Sequence, residues 1–321
     1  MREIKILDVR SPREYRQAHI PQALNFPVLS DQEYEEIGTI YRYNSFEAKM
    51  RGSAYICKNI AAFLEQTSVF HPSHKLILYC ARGGQRSKSL WSILREIGFD
   101  CERLEGGYKR YRQEVLKNLS IFPSQTFFTL YGMTGSGKSD LIKMAHAWSI
   151  DLERMSGHYG SSFGHQANNF TGQPSRAMFE NLLEYELRSK MGIVLVEGES
   201  KKIGDIVIPN SVFDAIHCGK KILIQTCIEE RVKRIVKMYA HISYENFIGC
   251  MQKIKPYLQR QFYNDVLSSW DHGDKERIAF ILLEKYYDRV YRKNQCDIVI
   301  NAENLDLAYQ ELCLLKEEMS I

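Results

Sequence analysis

Two short stretches constrain this chain more than anything else in it, because each is an apolar strand running into a glycine-rich turn and then a helix start. The first is Leu76-Ile-Leu-Tyr-Cys80-Ala-Arg-Gly-Gly-Gln-Arg86-Ser87, and the second is Phe127-Phe-Thr-Leu-Tyr-Gly132-Met-Thr-Gly135-Ser-Gly137-Lys138-Ser139. A turn of this kind aims several backbone N–H groups and the positive end of a helix at one point, which makes it an anion site. In the first stretch a cysteine closes the strand and an arginine follows after five loop residues, so a thiolate would face a bound oxyanion. Cys80 and Arg86 are therefore the candidate catalytic pair, with Arg82, Gly83, Gly84, Gln85 and Ser87 as candidate anion contacts. The second stretch reads G-x-x-x-x-G-K-S after a strand and before a helix. Gly132, Thr134, Gly135, Ser136 and Gly137 would cradle a diphosphate, Lys138 would neutralise it, and Ser139 could hold Mg²⁺. Two anion sites on one chain suggest a two-substrate enzyme.

The 321 residues suffice for two cores. Hydrophobic residues at 44% and charged residues at 26% are ordinary for a globular protein, and no apolar run approaches the ~20 residues that cross a bilayer. No export signal is read at the N-terminus, so a cytoplasmic location without membrane attachment is expected. The eight cysteines (57, 80, 101, 218, 227, 250, 296 and 313) form no C-x-x-C pair and no close Cys/His cluster, which argues against a zinc site and a disulfide framework. No tightly bound cofactor is expected; Mg²⁺ could accompany the diphosphate, and the sequence leaves open whether the protein itself holds a metal. Residues 1–118 carry 19 basic and 14 acidic side chains, an excess of +5, against 24 and 25 over the rest. That excess permits an RNA partner without demanding one.

Short apolar strands alternate with helices from residue 4 onward, the pattern of an α/β fold. Ile4–Val9 is a predicted strand, Ser11-Pro-Arg-Glu14 a capping box, Lys75–Tyr79 a strand followed by a helix from about Arg86 to Ile97, and Cys101–Leu104 another strand before a helix that starts at Gly106-Gly107. A first domain over 1–118 and a second over 119–321 follow, with Asn118–Thr126 as the linker. In the second, strands are predicted at Phe127–Tyr131, Ile193–Val196, Lys221–Thr226 and Asp297–Ile300, and helices at Glu229–Tyr239 and Arg277–Arg292. At the end of the second of these strands stand Glu197-Gly198-Glu199-Ser200, where an acidic metal or water ligand is often placed. The polar stretch 156–174 is long for a structureless loop and is read as functional or disordered. The basic residues Arg231, Lys233, Arg234 and Lys237 read best as a solvated helix face, and the aromatic and basic run 286–293 as helix packing or base stacking.

Leu7-Asp8-Val9-Arg10, Glu14-Tyr15, His19-Ile20-Pro21 through Phe26-Pro27, the Cys80 loop and Leu104-Glu105-Gly106-Gly107-Tyr108 together resemble the rhodanese family. That resemblance implies a thiolate carrying a sulfur-group atom, with Asp8 and Arg10 bracing the fold. The Cys-x₅-Arg spacing is also that of cysteine phosphatases and suggests a donor of phosphate size. Attack on phosphorus would be phosphatase chemistry, and attack on a chalcogen bonded to phosphorus would be chalcogen transfer.

A rhodanese-like domain followed by a P-loop NTPase-like α/β domain with a parallel sheet resembles the tRNA 2-selenouridine synthase family. The likeness extends to Ile37-Gly38-Thr39, Phe46-Glu47-Ala48-Lys49, Gly160-Ser161-Ser162-Phe163-Gly164, Gln173-Pro174-Ser175, Phe179-Glu180-Asn181, Glu197-Gly198-Glu199-Ser200 and Ile203-Gly204. It implies replacement of sulfur by selenium in wobble-position 2-thiouridine of tRNA, with selenophosphate and geranyl diphosphate as co-substrates and S-geranyl-2-thiouridine as intermediate. On that reading Cys80 carries selenium, the Gly132–Ser139 loop binds the diphosphate, and Glu197, Glu199, Ser161 and Ser162 are further candidate contacts. Two departures stand out: Tyr159 where the family pattern has arginine, and Arg176 where it has glutamine. A cysteine phosphatase–kinase fusion with ATP in the P-loop is the alternative enzyme. An RNA-binding or nucleotide-sensing protein is the alternative without catalysis.

Overall fold

The computed structural model describes residues 3–65, 71–158, 163–164, 172–198, 200–290 and 295–319. The chain divides into two compact units, 1–118 with 175–185, and 119–174 with 186–321.

In the first unit, β1 (Ile4–Asp8), β2 (Leu24–Asn25), β3 (Lys75–Tyr79) and β4 (Asp100–Arg103) form a parallel sheet in the order β2-β1-β3-β4. Alternate residues of its strands serve opposite faces. Leu7, Val9, Leu76 and Leu78 pack with Ile56, Ile60, Leu90 and Leu94, whereas Ile6 and Tyr79 pack with Ile20, Ala23, Tyr15 and Tyr108. The expected capping box is present: the Ser11 side chain accepts from the Glu14 amide, and Glu14 accepts from the Ser11 amide at 3.0 Å. The helix after β3 runs Gln85–Glu96, and the one after β4 runs Gly107–Ser120. Since β5 (Thr126–Tyr131) begins soon after, the connection narrows to residues 121–125.

Asp8 and Arg10 brace this unit as the rhodanese resemblance implies. Both are buried. The Arg10 guanidinium donates to Asp8 through Nε at 2.9 Å and Nη2 at 2.5 Å, and to the Ala18 carbonyl at 2.7 Å. Its face lies 3.9 Å from the centre of the Tyr108 ring. Arg10→Ala would strand the Asp8 carboxylate without its cation, and a loss of about 3–5 kcal/mol is expected in chemical denaturation.

Residues 175–185 pack with this first unit. Arg112 donates to Asn181 Oδ1 and Glu180 Oε2, both at 2.6 Å, and Asn181 Nδ2 donates to the His19 carbonyl at 2.7 Å. Phe179, Glu180 and Asn181 are all buried, so this part of the family pattern is structural.

In the second unit, β5, β6 (Ser149–Ile150), β7 (Ile193–Glu197), β10 (Lys220–Gln225) and β11 (Ile298–Asn301) form a parallel sheet in the order β11-β10-β5-β7-β6. The pair β8 (Lys202–Ile203) and β9 (Ile206–Val207) is a separate antiparallel hairpin. β5 is central and buried from Phe127 to Tyr131, as a parallel strand covered on both faces must be. A second cluster gathers Phe247, Met251, Val266 and Leu282 among the helices Tyr244–Ile254, Arg260–Asp271 and Lys275–Leu282. The helix expected over 277–292 is α-helical only to Leu282, widens into a π turn over Leu283–Tyr287 and resumes over Asp288–Val290. Beyond that turn Asp288 pairs with Arg231 at 2.6 Å. Among the described residues no helix is long and apolar enough to cross a membrane.

Candidate functional site

In the first sheet the chain passes from β1 to β2 on one side and then to β3 on the other. The carboxyl ends of β1 and β3 therefore border the crevice where open α/β sheets take ligands. Cys80 follows β3 there and is 3% exposed. Burial alone would raise its pKa, but the net direction is downward, because hydrogen bonds from the Ser87 side chain and from the Ser87 and Arg82 amides favour the thiolate, as does the Arg86 charge. The Gly84 amide lies 3.2 Å from Sγ and the Ser87 hydroxyl 3.4 Å. Arg82 is exposed at the rim, and Gln85 reaches the Ser53 hydroxyl at 3.4 Å. Arg86 is not aimed freely into the loop: it forms a two-pronged pair with Glu14, at 2.5 and 3.2 Å, and its guanidinium lies 5.0 Å from the centre of the Tyr34 ring. It acts on Cys80 through its charge, with its orientation set by Glu14.

The loop is held from behind by Gly106 and Gly107. The Tyr108 and Lys109 amides donate to the Cys80 and Ala81 carbonyls, both at 2.9 Å. Gly107 has φ +59°, and a Cβ there would stand 2.3 Å from the Cys80 carbonyl oxygen and 2.5 Å from the Gly83 nitrogen. Neither neighbour is a movable side-chain end. Gly107→Ala is therefore expected to cost more than about 3 kcal/mol in denaturation and to reduce alkylation of Cys80 at neutral pH, since it displaces the amides that favour the thiolate.

In the second sheet the strand order reverses at β5, and the Gly132–Ser139 loop follows that strand. Gly132 has φ +156°, and a Cβ there would meet the Ile224 carbonyl and the Ser136 hydroxyl, both at 2.6 Å. The loop lines a cavity of about 350 Å³ together with Lys143, Arg234 and Lys237. Lys138 Nζ donates to the Gly132 carbonyl at 2.7 Å, which holds the ammonium across the loop. Ser136 is buried, so it offers the site its backbone only. Thr134 does not line this cavity; its carbonyl accepts from Arg231 Nε at 2.9 Å.

Ser139 Oγ lies 2.7 Å from Glu153 Oε2 and 2.8 Å from Glu197 Oε1. A hydroxyl has one proton and satisfies one carboxylate at a time. Two buried carboxylates meeting one hydroxyl are a hard-oxygen donor set suited to Mg²⁺.

Taken together, the chain has a buried, acidified cysteine in one cradle and a lysine-capped phosphate loop in a second. The family model described as the tRNA 2-selenouridine synthase AAA domain matches residues 125–301, and the rhodanese-like domain model matches residues 1–114. The chain belongs to the tRNA 2-selenouridine synthase family. A protein of that name from Shewanella denitrificans is 29% identical, covering 94% of this chain and 83% of the relative. Those from Hydrogenovibrio crunogenus and a Sulfurovum species are 31% and 32% identical, covering 93% and 89% of this chain and 92% and 87% of the relatives.

Several residues of this family member's sites escape local sequence reading. Glu153 stands just beyond the two-residue strand β6, too short a strand to announce itself. Arg231 and Arg234, read as part of a solvated face, instead grip the phosphate loop: Arg231 is buried, and Arg234 donates to the Ser136 carbonyl at 2.7 Å. Their helical spacing was the available signal, since residues three apart share a face. Glu199, Ser161 and Ser162 lie outside the described residues.

Proposed function

We propose that the chain replaces sulfur by selenium in the wobble-position 2-thiouridine of tRNA, in the cytoplasm, using selenophosphate and geranyl diphosphate. Membership of the family makes it an enzyme of tRNA modification. The observation that carries the finer reading is the presence of two anion cradles with different chemistry, one holding a cysteine whose pKa is lowered and the other a lysine and a hard-oxygen cluster.

In the first step the thiocarbonyl sulfur attacks the geranyl C1 and diphosphate departs. The amides of Gly135 to Lys138 and the Lys138 ammonium neutralise that leaving group. Mg²⁺, when bound, would be held by Ser139 with Glu153 and Glu197 and would screen diphosphate charge. Alkylation turns sulfur, otherwise a poor leaving group, into one that departs as geranylthiol. In the second step the Cys80 thiolate attacks the selenium of selenophosphate, and the Se–P bond breaks with phosphite leaving on the electron pair. The selanyl selenium then attacks C2 of the alkylated base as geranylthiol departs, and a thiol reductant cleaves the S–Se bond to leave the selenocarbonyl and restore Cys80. The Gly84 amide and Ser87 hydroxyl hold the Cys80 sulfur, while the Arg86 charge offsets the phosphate of the donor.

The test combines the purified full chain, tRNA bearing 2-thiouridine, geranyl diphosphate, selenophosphate and a thiol reductant, followed by mass spectrometry of the nucleosides. Selenouridine that requires both co-substrates is the expected product. No modified nucleoside under any combination would sink the reading, and phosphate release from a generic aryl phosphate would favour the phosphatase–kinase alternative instead.

A further inference from the structure

A second cavity of the second unit adjoins the phosphate loop. It has a volume of about 70 Å³ and is walled by Val236, Phe247, Trp270, Ala279 and Leu283 among others. By the same measure a single water needs roughly 10–15 Å³, so the space is several waters large. Two features tie it to the loop. Thr134 lines this cavity while the next residue, Gly135, lines the phosphate cavity, and Ile235 lines both. Ile235 Cγ1 stands 3.2 Å from where a Gly135 Cβ would be, so this one side chain packs on the loop and divides the two spaces.

The lining also says what does not belong there. Among the described residues its lining contains no carboxylate and no side-chain amide, and its polar groups are those of Thr134, Lys275, two tyrosines and the Trp270 indole N–H. A nucleoside base in such a site would leave its ring nitrogens and exocyclic groups short of partners, whereas a hydrocarbon chain loses nothing. The Phe247 and Trp270 rings stack at 4.1 Å, presenting an aromatic wall. A phosphate cradle with an apolar, aromatic-walled cavity beside it matches a diphosphate ester of a hydrocarbon chain better than a nucleotide.

We propose that this cavity seats the hydrocarbon chain of the diphosphate held by the Gly132–Ser139 loop and so selects the chain lengths that the enzyme accepts. The inference rests on the reading of that loop as a diphosphate site. It adds the residues that recognise the chain: Val236, Phe247, Trp270 and Ala279, with Ile235 at the junction.

Calorimetric titration of the full chain with three probes tests it: inorganic diphosphate, dimethylallyl diphosphate and geranyl diphosphate. Affinity is expected to rise along that series, with geranyl diphosphate about 100-fold or more tighter than inorganic diphosphate. Val236→Trp, which fills the cavity from a half-buried position, is expected to weaken geranyl diphosphate by about 10-fold or more while inorganic diphosphate binds as before. Ala279→Leu provides a smaller obstruction with the same expected direction, and unchanged binding of inorganic diphosphate certifies the fold of either variant. Equal affinity of the three probes, or geranyl diphosphate binding that neither variant weakens, overturns the inference and leaves the diphosphate reading intact. Failure of every probe to bind overturns both together.

Discussion

Cys80→Ser is expected to lower selenouridine formation by at least about 10³-fold while S-geranyl-2-thiouridine accumulates, as read by nucleoside mass spectrometry. The substitution changes one buried atom, and the hydrogen bonds that hold it come from the Gly84 amide and Ser87 side chain, so the loop keeps its shape. What is lost is nucleophilicity. Sulfur in this cradle ionises below the usual cysteine range, since the Ser87 and Arg82 hydrogen bonds and the Arg86 charge outweigh burial, whereas a serine hydroxyl stays protonated. The same balance sets a pH dependence. The reactive thiolate fraction falls as pH drops through the Cys80 pKa. Because that pKa is depressed, alkylation of wild-type Cys80 should persist at pH values where an ordinary cysteine has stopped reacting. Ser87→Ala removes the largest favourable contribution and is expected to move the alkylation profile to higher pH. An unmoved profile would leave Ser87 with no part in activating the thiol.

The contrast between Cys80 and Arg86 shows how far local sequence carries. Cys80 was legible because everything that makes it reactive lies within seven residues: a strand end, a glycine turn and the first turn of a helix. Strands and both loops were legible for the same reason, since apolar runs and glycine-rich turns are local signals. Arg86 was legible as a charge but not as an oriented one, because Glu14, which holds it, is 72 residues away. Glu14 looked like a capping residue and is one; its second engagement depends on β1 and β3 being neighbours. Arg231 carries the same lesson. A basic helix face is ordinarily solvated, but here the helix Ile228–Met238 passes beneath the phosphate loop, where carbonyls need donors and Asp288 offers a countercharge. Arg176, a departure from the family pattern, pairs with Glu180 at 2.8 Å, so its charge is engaged locally. Glu153 and the apolar cavity are assembled from separate elements, and no window of sequence contains either.

Lys138→Ala should have the complementary phenotype, removing S-geranyl-2-thiouridine as well as selenouridine. Removal of one preorganised donor from a developing anion typically costs about 10²–10³-fold in rate, and Lys138 brings a full charge to the departing diphosphate. Its ammonium is positioned in advance by the Gly132 carbonyl, so the variant loses the cation held across the loop; Lys143 and Lys237 line the same cavity without that hydrogen bond to the loop, and Arg234 is committed to the Ser136 carbonyl. The informative experiment is a bypass. Given tRNA already carrying S-geranyl-2-thiouridine and selenophosphate, Lys138→Ala is expected to make selenouridine at close to the wild-type rate, because the diphosphate step has been skipped. Cys80→Ser should remain inactive on the same substrate. Rescue of both variants would remove Cys80 from the selenium step, and rescue of neither would show that the phosphate loop also serves the displacement, so that the two cradles could no longer be assigned one step each.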